Sequence, residues 1–234
     1  LSQAVARWSS RQHKVLDALG IDIWVSPDRF TDAPATDSVT GVRVDGAADQ
    51  DWIALEREAL SCTRCSLHRS RTQVVFGVGN PGADWLIIGE APGVEEDRRG
   101  EPFVGRAGQL LNEMLRSAGL TREQVYIANI LKCRPPENRD PRPEEVSCCI
   151  PYLERQIGHI APRLILAVGR IAAQNLLGVD TPLGRLRGTV HNFGAGSIPV
   201  VVTYHPAYLL RSPSQKRKAW EDLLLAQQLV EDIS

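Results

Sequence analysis

Trp85-Leu86-Ile87-Ile88-Gly89-Glu90-Ala91-Pro92-Gly93 is an apolar run that ends in a Gly- and Pro-rich break. The apolar run is too short for a helix and suits a strand buried on both faces. Gly and Pro then break it, so a tight loop carries Glu90 at the carboxyl end of that strand. Outward from here, strands and helices alternate. Residues 107–118 read as a helix with Leu110, Leu111, Met114 and Leu115 on one face and Gly119 as its stop. Residues 125–132 read as a strand. Residues 143–157 read as a helix, with Pro143 at its start and Glu144 and Glu145 in the first turn, where the helix dipole favours acids. A strand over 164–168, a short helix over 171–177, a strand over 198–204 and a closing helix over 215–230 follow. This alternation predicts an α/β fold with a parallel sheet covered on both faces. Ligands of such folds sit at the carboxyl ends of the strands. Gly89, Lys132, Gly169 and His205 fall there.

The chain has 234 residues, which suits one catalytic-sized domain with an appendage. Its 43% hydrophobic and 24% charged content excludes a wholly disordered chain. No run approaches the roughly 20 apolar residues of a membrane span, so no membrane association is expected, and no secretory signal pattern is read. The net charge of −1 hides an asymmetry: 6 basic and 10 acidic residues precede Cys62, whereas 21 and 18 lie from Cys62 onward. The basic excess is too small to indicate nucleic acid by itself. Residues 1–25 read as a small helical piece (Ala4, Trp8, Val15, Leu16 and Leu19 at helical spacing) followed by a short strand at 22–25. Residues 26–50 lack periodicity and read as a flexible acidic linker. The catalytic domain is expected over 51–234, opening with a helix from Asp51 into Cys62.

Five cysteines are present: Cys62, Cys65, Cys133, Cys148 and Cys149. Cys62-x-x-Cys65 places two thiolates close enough to share a metal, and a second pair completes four ligands. Four cysteines suit zinc or an iron–sulfur cluster. The wide second pair, set in a Pro- and Arg-rich loop and a helix, mildly favours the bulkier cluster. Spacing alone leaves Cys148 and Cys149 equivalent.

Glu90 is a candidate for positioning a water, against the plainer reading of an exposed turn residue. Glu95, Glu96 and Asp97 follow, and most of these are expected to be solvated. Phe103, between Pro102 and Val104, is either core or a stacking platform for a planar ring. Asn129 ends an otherwise apolar strand, and its amide donor and acceptor suit the polar edge of a pyrimidine. His205 leaves the last strand ahead of a Pro, where a neutral imidazole N–H can stabilise a developing anion. His13, His68 and His159 have no such context, and His191 is ambiguous.

Four segments in order resemble family 4 uracil-DNA glycosylase, the iron–sulfur type of bacteria and archaea. They are Cys62-x-x-Cys65, then G-E-A-P-G (89–93) with P-F-V-G-R-A-G (102–108), then Y-I-A-N-I-L-K-C-R-P-P-E-N-R-D-P (126–141), then Y-H-P-A-Y-L-L (204–210). Each is modest alone, and the series is specific. The resemblance covers residues 60–225 and leaves 1–50 outside. It implies a three-layer α/β/α sandwich with a central four-stranded parallel sheet. It also implies a [4Fe–4S] cluster and hydrolysis of the N-glycosidic bond of deoxyuridine in single- and double-stranded DNA. Carried over, Cys62, Cys65, Cys133 and Cys149 match the cluster ligands; E-E-x-x-x-C-x-P falls on Glu144, Glu145, Cys149 and Pro151 and selects Cys149. Gly89, Glu90, Ala91, Pro92 and Gly93 match the first motif, Phe103 the stacking aromatic, Asn129 the uracil-reading amide and His205 the second-motif histidine. A related branch that traps DNA covalently carries G-E-Q-P-G and a K-R-R-I-H insertion. Ala91 and R-L-R-G-T-V-H (185–191) stand in their places, so turnover is expected.

The implied mechanism flips the nucleotide into a pocket at a cost of a few kcal/mol, which phosphate contacts from Arg and Lys offset. Phe103 stacks on uracil, Asn129 reads its O4 and N3–H edge, and His205 stabilises the leaving anion at O2. Glu90 positions water, with Glu96 as second candidate. Arg134, Arg139 and Arg142 are placed to track the DNA backbone. The implied partners are uracil-containing DNA and free uracil as product. The protein is expected to be a cytoplasmic bacterial monomer. The alternatives are a same-fold glycosylase for another deaminated base, or a non-catalytic iron–sulfur DNA-binding protein. A zinc deaminase needs H-x-E and P-C-x-x-C, and neither occurs.

Overall fold

The computed structural model describes residues 46–195 and 197–232. The helical piece and strand expected over 1–25, and the linker up to 45, lie outside them. Six strands form one sheet: β1 (Val78–Gly79), β2 (Trp85–Gly89), β3 (Tyr126–Asn129), β4 (Leu164–Val168), β5 (Val190–Phe193) and β6 (Ile198–Thr203). Their order is β1-β3-β2-β4-β6-β5. The inner four are parallel, as the sequence predicts. β1 and β5 add antiparallel edges, so the sheet is six-stranded and mixed rather than four-stranded. Neither edge strand carries an apolar run of its own: β1 has two residues, and β5 alternates between exposed and half-buried. Both exist because a buried neighbour offers a ladder to pair with.

The helices are α1 (Gly46–Leu60), α2 (Val94–Arg99), α3 (Arg106–Ser117), α4 (Pro143–Ile160), α5 (Arg170–Leu177), α6 (Leu183–Leu186), α7 (Pro206–Arg211) and α8 (Lys216–Asp232). Successive strand residues point to opposite faces, and both faces are covered. Leu86, Ile88, Ile165 and Val202 pack against Leu153 and Ile157 of α4 and Ala172 and Leu176 of α5. Ile87, Ile127, Leu166 and Val201 pack against Leu111 and Leu115 of α3, Leu209 of α7 and Leu223 of α8. The result is a three-layer α/β/α sandwich. A third apolar cluster joins Leu55 and Ala59 of α1 to Leu67, Phe76, Leu131 and Tyr152, and it includes Cys133 and Cys149. Among the described residues, no helix is long and apolar enough to cross a membrane.

Some element boundaries differ from expectation. α1 begins at Gly46, inside the stretch read as linker. The strand expected over 125–132 ends at Asn129. The chain then follows the Glu90 loop, with Ile130 N–H donating to the Gly89 carbonyl and Leu131 N–H to that of Glu90, both at 3.0 Å. α4 extends to Ile160 and is closed by Ala161 at φ +46°, whose N–H donates to the Ile157 carbonyl at 2.9 Å. α2 occupies what reads as an acidic loop. Its first turn carries Glu95, Glu96 and Asp97, where the dipole stabilises them. Asp97 is not solvated: it is 4% exposed, and its two oxygens accept the Thr72 N–H at 2.9 and 3.0 Å.

β2 pairs with β3 on one side and with β4 on the other. The strand order therefore reverses at β2, and a crevice opens above its carboxyl end.

Candidate active site

Gly89 stands opposite Asn129 across the β2–β3 pair, and Val168 opposite Thr203 across β4–β6. The residues just beyond these ends therefore converge. A cleft of about 470 Å³ lies there, lined by Glu90, Ala91, Gly93, Glu96, Phe103, Asn129 and His205. Gly89 and Pro92 are not in its lining. Gly89 acts from behind: a Cβ on it would overlap the Asn129 Oδ1 and the Phe103 ring. Asn138, Tyr208 and Arg211 also line the cleft and were not singled out from sequence as site residues.

Phe103 is 6% exposed and has a left-handed backbone, φ +54°. A non-glycine residue holds such a conformation only when its surroundings impose it. Three groups do so. Arg122 Nη1 donates to the Phe103 carbonyl at 3.3 Å, and Nη2 donates to that of Pro102. Glu96 Oε1 accepts the Val104 and Gly105 N–H groups, each at 3.0 Å. Gly108 in the first turn of α3 lies so close that a Cβ would overlap the Phe103 carbonyl. The ring ends 5.6 Å from the His205 ring, with the planes inclined by 30°.

Asn129 is 2% exposed. Its carbonyl accepts from the Lys132 ammonium at 3.0 Å, and that buried ammonium also donates to Gln156 Oε1 at 2.5 Å. No side chain or backbone group among the described residues bonds the Asn129 amide, which faces the cleft. A buried amide without a protein partner is suited to a ligand that supplies one.

His205 caps α7. Its Nδ1 accepts the Ala207 N–H at 3.1 Å. In the neutral ring this places the proton on Nε2. Burial, with Arg211 adding repulsion, pushes its pKa down to about 4. The imidazole is therefore neutral at physiological pH.

Glu90 is half-buried, and burial raises its pKa to about 7, with Asp140 raising it further and Arg170 opposing. Asp140 and Arg170 are themselves paired at 2.6 Å. A carboxyl poised near neutrality can accept a proton from water at working pH. Glu96, the second candidate for that task, has both oxygens engaged: Oε2 accepts the Gly93 N–H at 3.1 Å, and Oε1 holds the Phe103 loop. Its structural part is to clamp two loops. Arg139 is likewise not free to track a backbone, since it forms a two-bond fork with Glu145 at 2.5 and 2.8 Å. His191 Nε2 bonds the Leu186 carbonyl at 2.8 Å, a local structural contact.

Behind the cleft, all five cysteines line one cavity together with Leu67, Leu131 and Tyr152. Cys133 and Cys149 are buried, and the other three are half-buried. Arg71 Nη1 donates to the Cys133 sulfur at 3.1 Å, and the Lys132 backbone N–H to that of Cys149 at 3.2 Å. Cys148 instead donates to the Arg64 carbonyl at 3.4 Å. Burial raises the Cys149 thiol to about 11 and lifts Cys65 and Cys133 as well. Among the described residues, no three His, Cys, Asp or Glu side chains are grouped tightly enough to hold a metal ion.

The family model of the uracil DNA glycosylase superfamily matches residues 76–224, which contain β2, β3, β4, β6 and every residue of the cleft. The chain belongs to the uracil DNA glycosylase superfamily. It is thereby an enzyme acting on N-glycosyl bonds. The glycosylase chain is 50% identical over 171 residues to the type-4 uracil-DNA glycosylase of Archaeoglobus fulgidus, covering 70% of this chain and 85% of that protein. It is 45% identical over 172 residues to the Thermotoga maritima protein of the same name, covering 72% and 89%. With that of Sulfurisphaera tokodaii it shares 42% over 175 residues, covering 72% and 80%.

Proposed function

We propose that this glycosylase removes uracil from single- and double-stranded DNA, releasing the free base and leaving an abasic site. The observation that carries the reading is Asn129, a residue 2% exposed whose amide has no hydrogen-bond partner among the described residues and which lines the cleft together with Phe103. It supplies one acceptor and one donor to a planar base edge. Uracil presents N3–H and O4 in the complementary order, whereas cytosine presents the opposite pattern at position 4. Phe103 covers the ring face. Flipping the nucleotide costs a few kcal/mol, and Arg211 at the cleft rim is placed to offset part of it through a phosphate.

Bond cleavage leaves positive charge on the sugar and negative charge on uracil. His205 donates its Nε2 proton as a hydrogen bond to O2 and stabilises the leaving anion without needing to be charged. Glu90 orients a water toward the sugar carbon and takes its proton as the new C–O bond forms. The hydroxyl goes to the sugar and the electron pair of the broken bond to uracil. The protein acts as a monomer.

Cys62, Cys65, Cys133 and Cys149 would hold a [4Fe–4S] cluster. The donor set fits: four thiols share one cavity, and N–H groups point at two of the sulfurs. Each thiolate of a cluster binds its own iron, so its ligands need not crowd round a single point. Bound there, the group would supply a cross-link between the turn after α1 and the start of α4, and a redox couple.

An end-labelled single-stranded oligonucleotide with one uracil, treated with the protein and then alkali, tests the activity. A break at the uracil, absent from a thymine control, is expected. Intact DNA from folded protein would sink the reading.

A further inference from the structure

Tyr208 takes no part in the chemistry above. It stands three residues after His205, and its N–H donates to the His205 carbonyl at 2.9 Å. Its side chain lines the same cleft and is 37% exposed. The ring is braced from behind. Tyr204 stacks on it, with centroids 5.1 Å apart and planes inclined by 29°. The Arg187 guanidinium lies over Tyr204, 4.3 Å from its centroid. Arg187 is fixed in turn by Asp222, whose Oδ2 accepts from Nε at 2.8 Å. That ion pair is nearly sealed, with side chains 9% and 1% exposed. One guanidinium and two rings thus form a ladder that ends in an exposed aromatic beside the cleft.

An ordered aromatic at the edge of a base-binding cleft has a specific use. When uracil leaves the stack, its neighbour in the strand loses a stacking partner on that side. We propose that Tyr208 is the stacking platform for the nucleobase adjacent to the flipped uracil, a second base subsite of the cleft. The inference rests on the glycosylase reading above. Stacking of a base on an aromatic side chain contributes about 1–3 kcal/mol. The ladder holds the ring in advance, so little ordering cost is left for binding. Single strands gain most, because a duplex already holds the neighbour.

The test is steady-state excision by the full chain on single-stranded oligonucleotides. One set has normal bases around uracil; in the other, an abasic spacer replaces the base on one side. Wild-type KM is expected to rise about tenfold with the spacer on one side only. Tyr208→Ala is expected to show that higher KM on the normal oligonucleotide and no response to the spacer. Tyr208→Leu keeps apolar bulk over Tyr204 without a flat face and is expected to match Ala. Tyr208→Trp is expected to keep the wild-type KM. A Tyr208→Ala or Tyr208→Leu enzyme with wild-type KM, or with the wild-type response to the spacer, overturns the subsite while leaving the glycosylase intact. A wild-type protein that excises no uracil overturns both.

Discussion

Desolvation at the cleft acts on His205 and Glu90 in opposite directions of charge but to one end, keeping both neutral. His205 titrates at about 4 and Glu90 at about 7. In the proposed mechanism Glu90 acts ionised and His205 neutral. The rate is therefore expected to rise with pH through about 7 and then level, because His205 has lost its proton well below that range. Glu90→Gln should flatten the profile and lower the rate; an unchanged profile would assign the titration to another group. The same shift makes a stability prediction. Folded Glu90 keeps its proton between 4.5 and about 7, where the unfolded chain has released it, so stability falls as pH rises through that window. Glu90→Gln removes the penalty and is expected to raise Tm at pH 8, a gain in stability at the expense of activity. For His205 the folded pKa is depressed, and its contribution is lost as pH falls from 6.5 toward 4. His205→Ala should cost about 10²–10³ in single-turnover excision rate, by analogy with losing one oxyanion donor. Near-wild-type turnover would remove it from the mechanism.

At the scale of elements, the start of α3 is set by contact with the loop before it. Helix propensity alone predicts that Gly108→Ala stabilises the helix by about 1 kcal/mol. The overlap with the Phe103 carbonyl reverses the sign. Gly108→Ala is expected to lower the urea midpoint and to raise KM for uracil oligonucleotides, since Phe103 must move. A stabilised variant with unchanged KM would show that the loop is free to shift. The two central parallel strands, β2 and β4, were legible in sequence because each is an uninterrupted apolar run buried on both faces. α2 was not, because Val-Glu-Glu-Asp-Arg-Arg reads as solvated. Its Asp97 and Glu96 are satisfied by N–H groups of Thr72, Val104 and Gly105, contacts that only folding creates. The edge strands were hidden for a related reason, since pairing rather than local pattern makes them.

Across the whole molecule, the cysteine cavity and the cleft are joined through Lys132. Its backbone N–H reaches Cys149, and its ammonium reaches the carbonyl of Asn129 and Gln156 on α4. Cys149 lies in the apolar cluster that contains Cys133, whereas the half-buried Cys148 turns its thiol to the Arg64 carbonyl. Cys149→Ala is expected to abolish the visible absorbance of the purified protein and lower its Tm, and Cys148→Ala to preserve both. The reverse outcome would exchange the two residues' roles.

The parallel sheet and the strand-end placement of Glu90, Asn129 and His205 can be read from the linear chain. Its C-x-x-C and wide second pair pointed to a shared cysteine site, while spacing left Cys148 and Cys149 equivalent and the fold brings all five thiols to one cavity. Apolar runs, their Gly and Pro breakers and short motif spacings act locally, so they are visible in one dimension. Tertiary structure alone decided that Glu96 clamps loops, that Arg139 is held by Glu145 and that Phe103 is held by Arg122, 19 residues away. It also decided that Tyr208 stands on a braced ladder. A charged or aromatic side chain takes its role from the groups that reach it through space, and those are set only when the chain has folded.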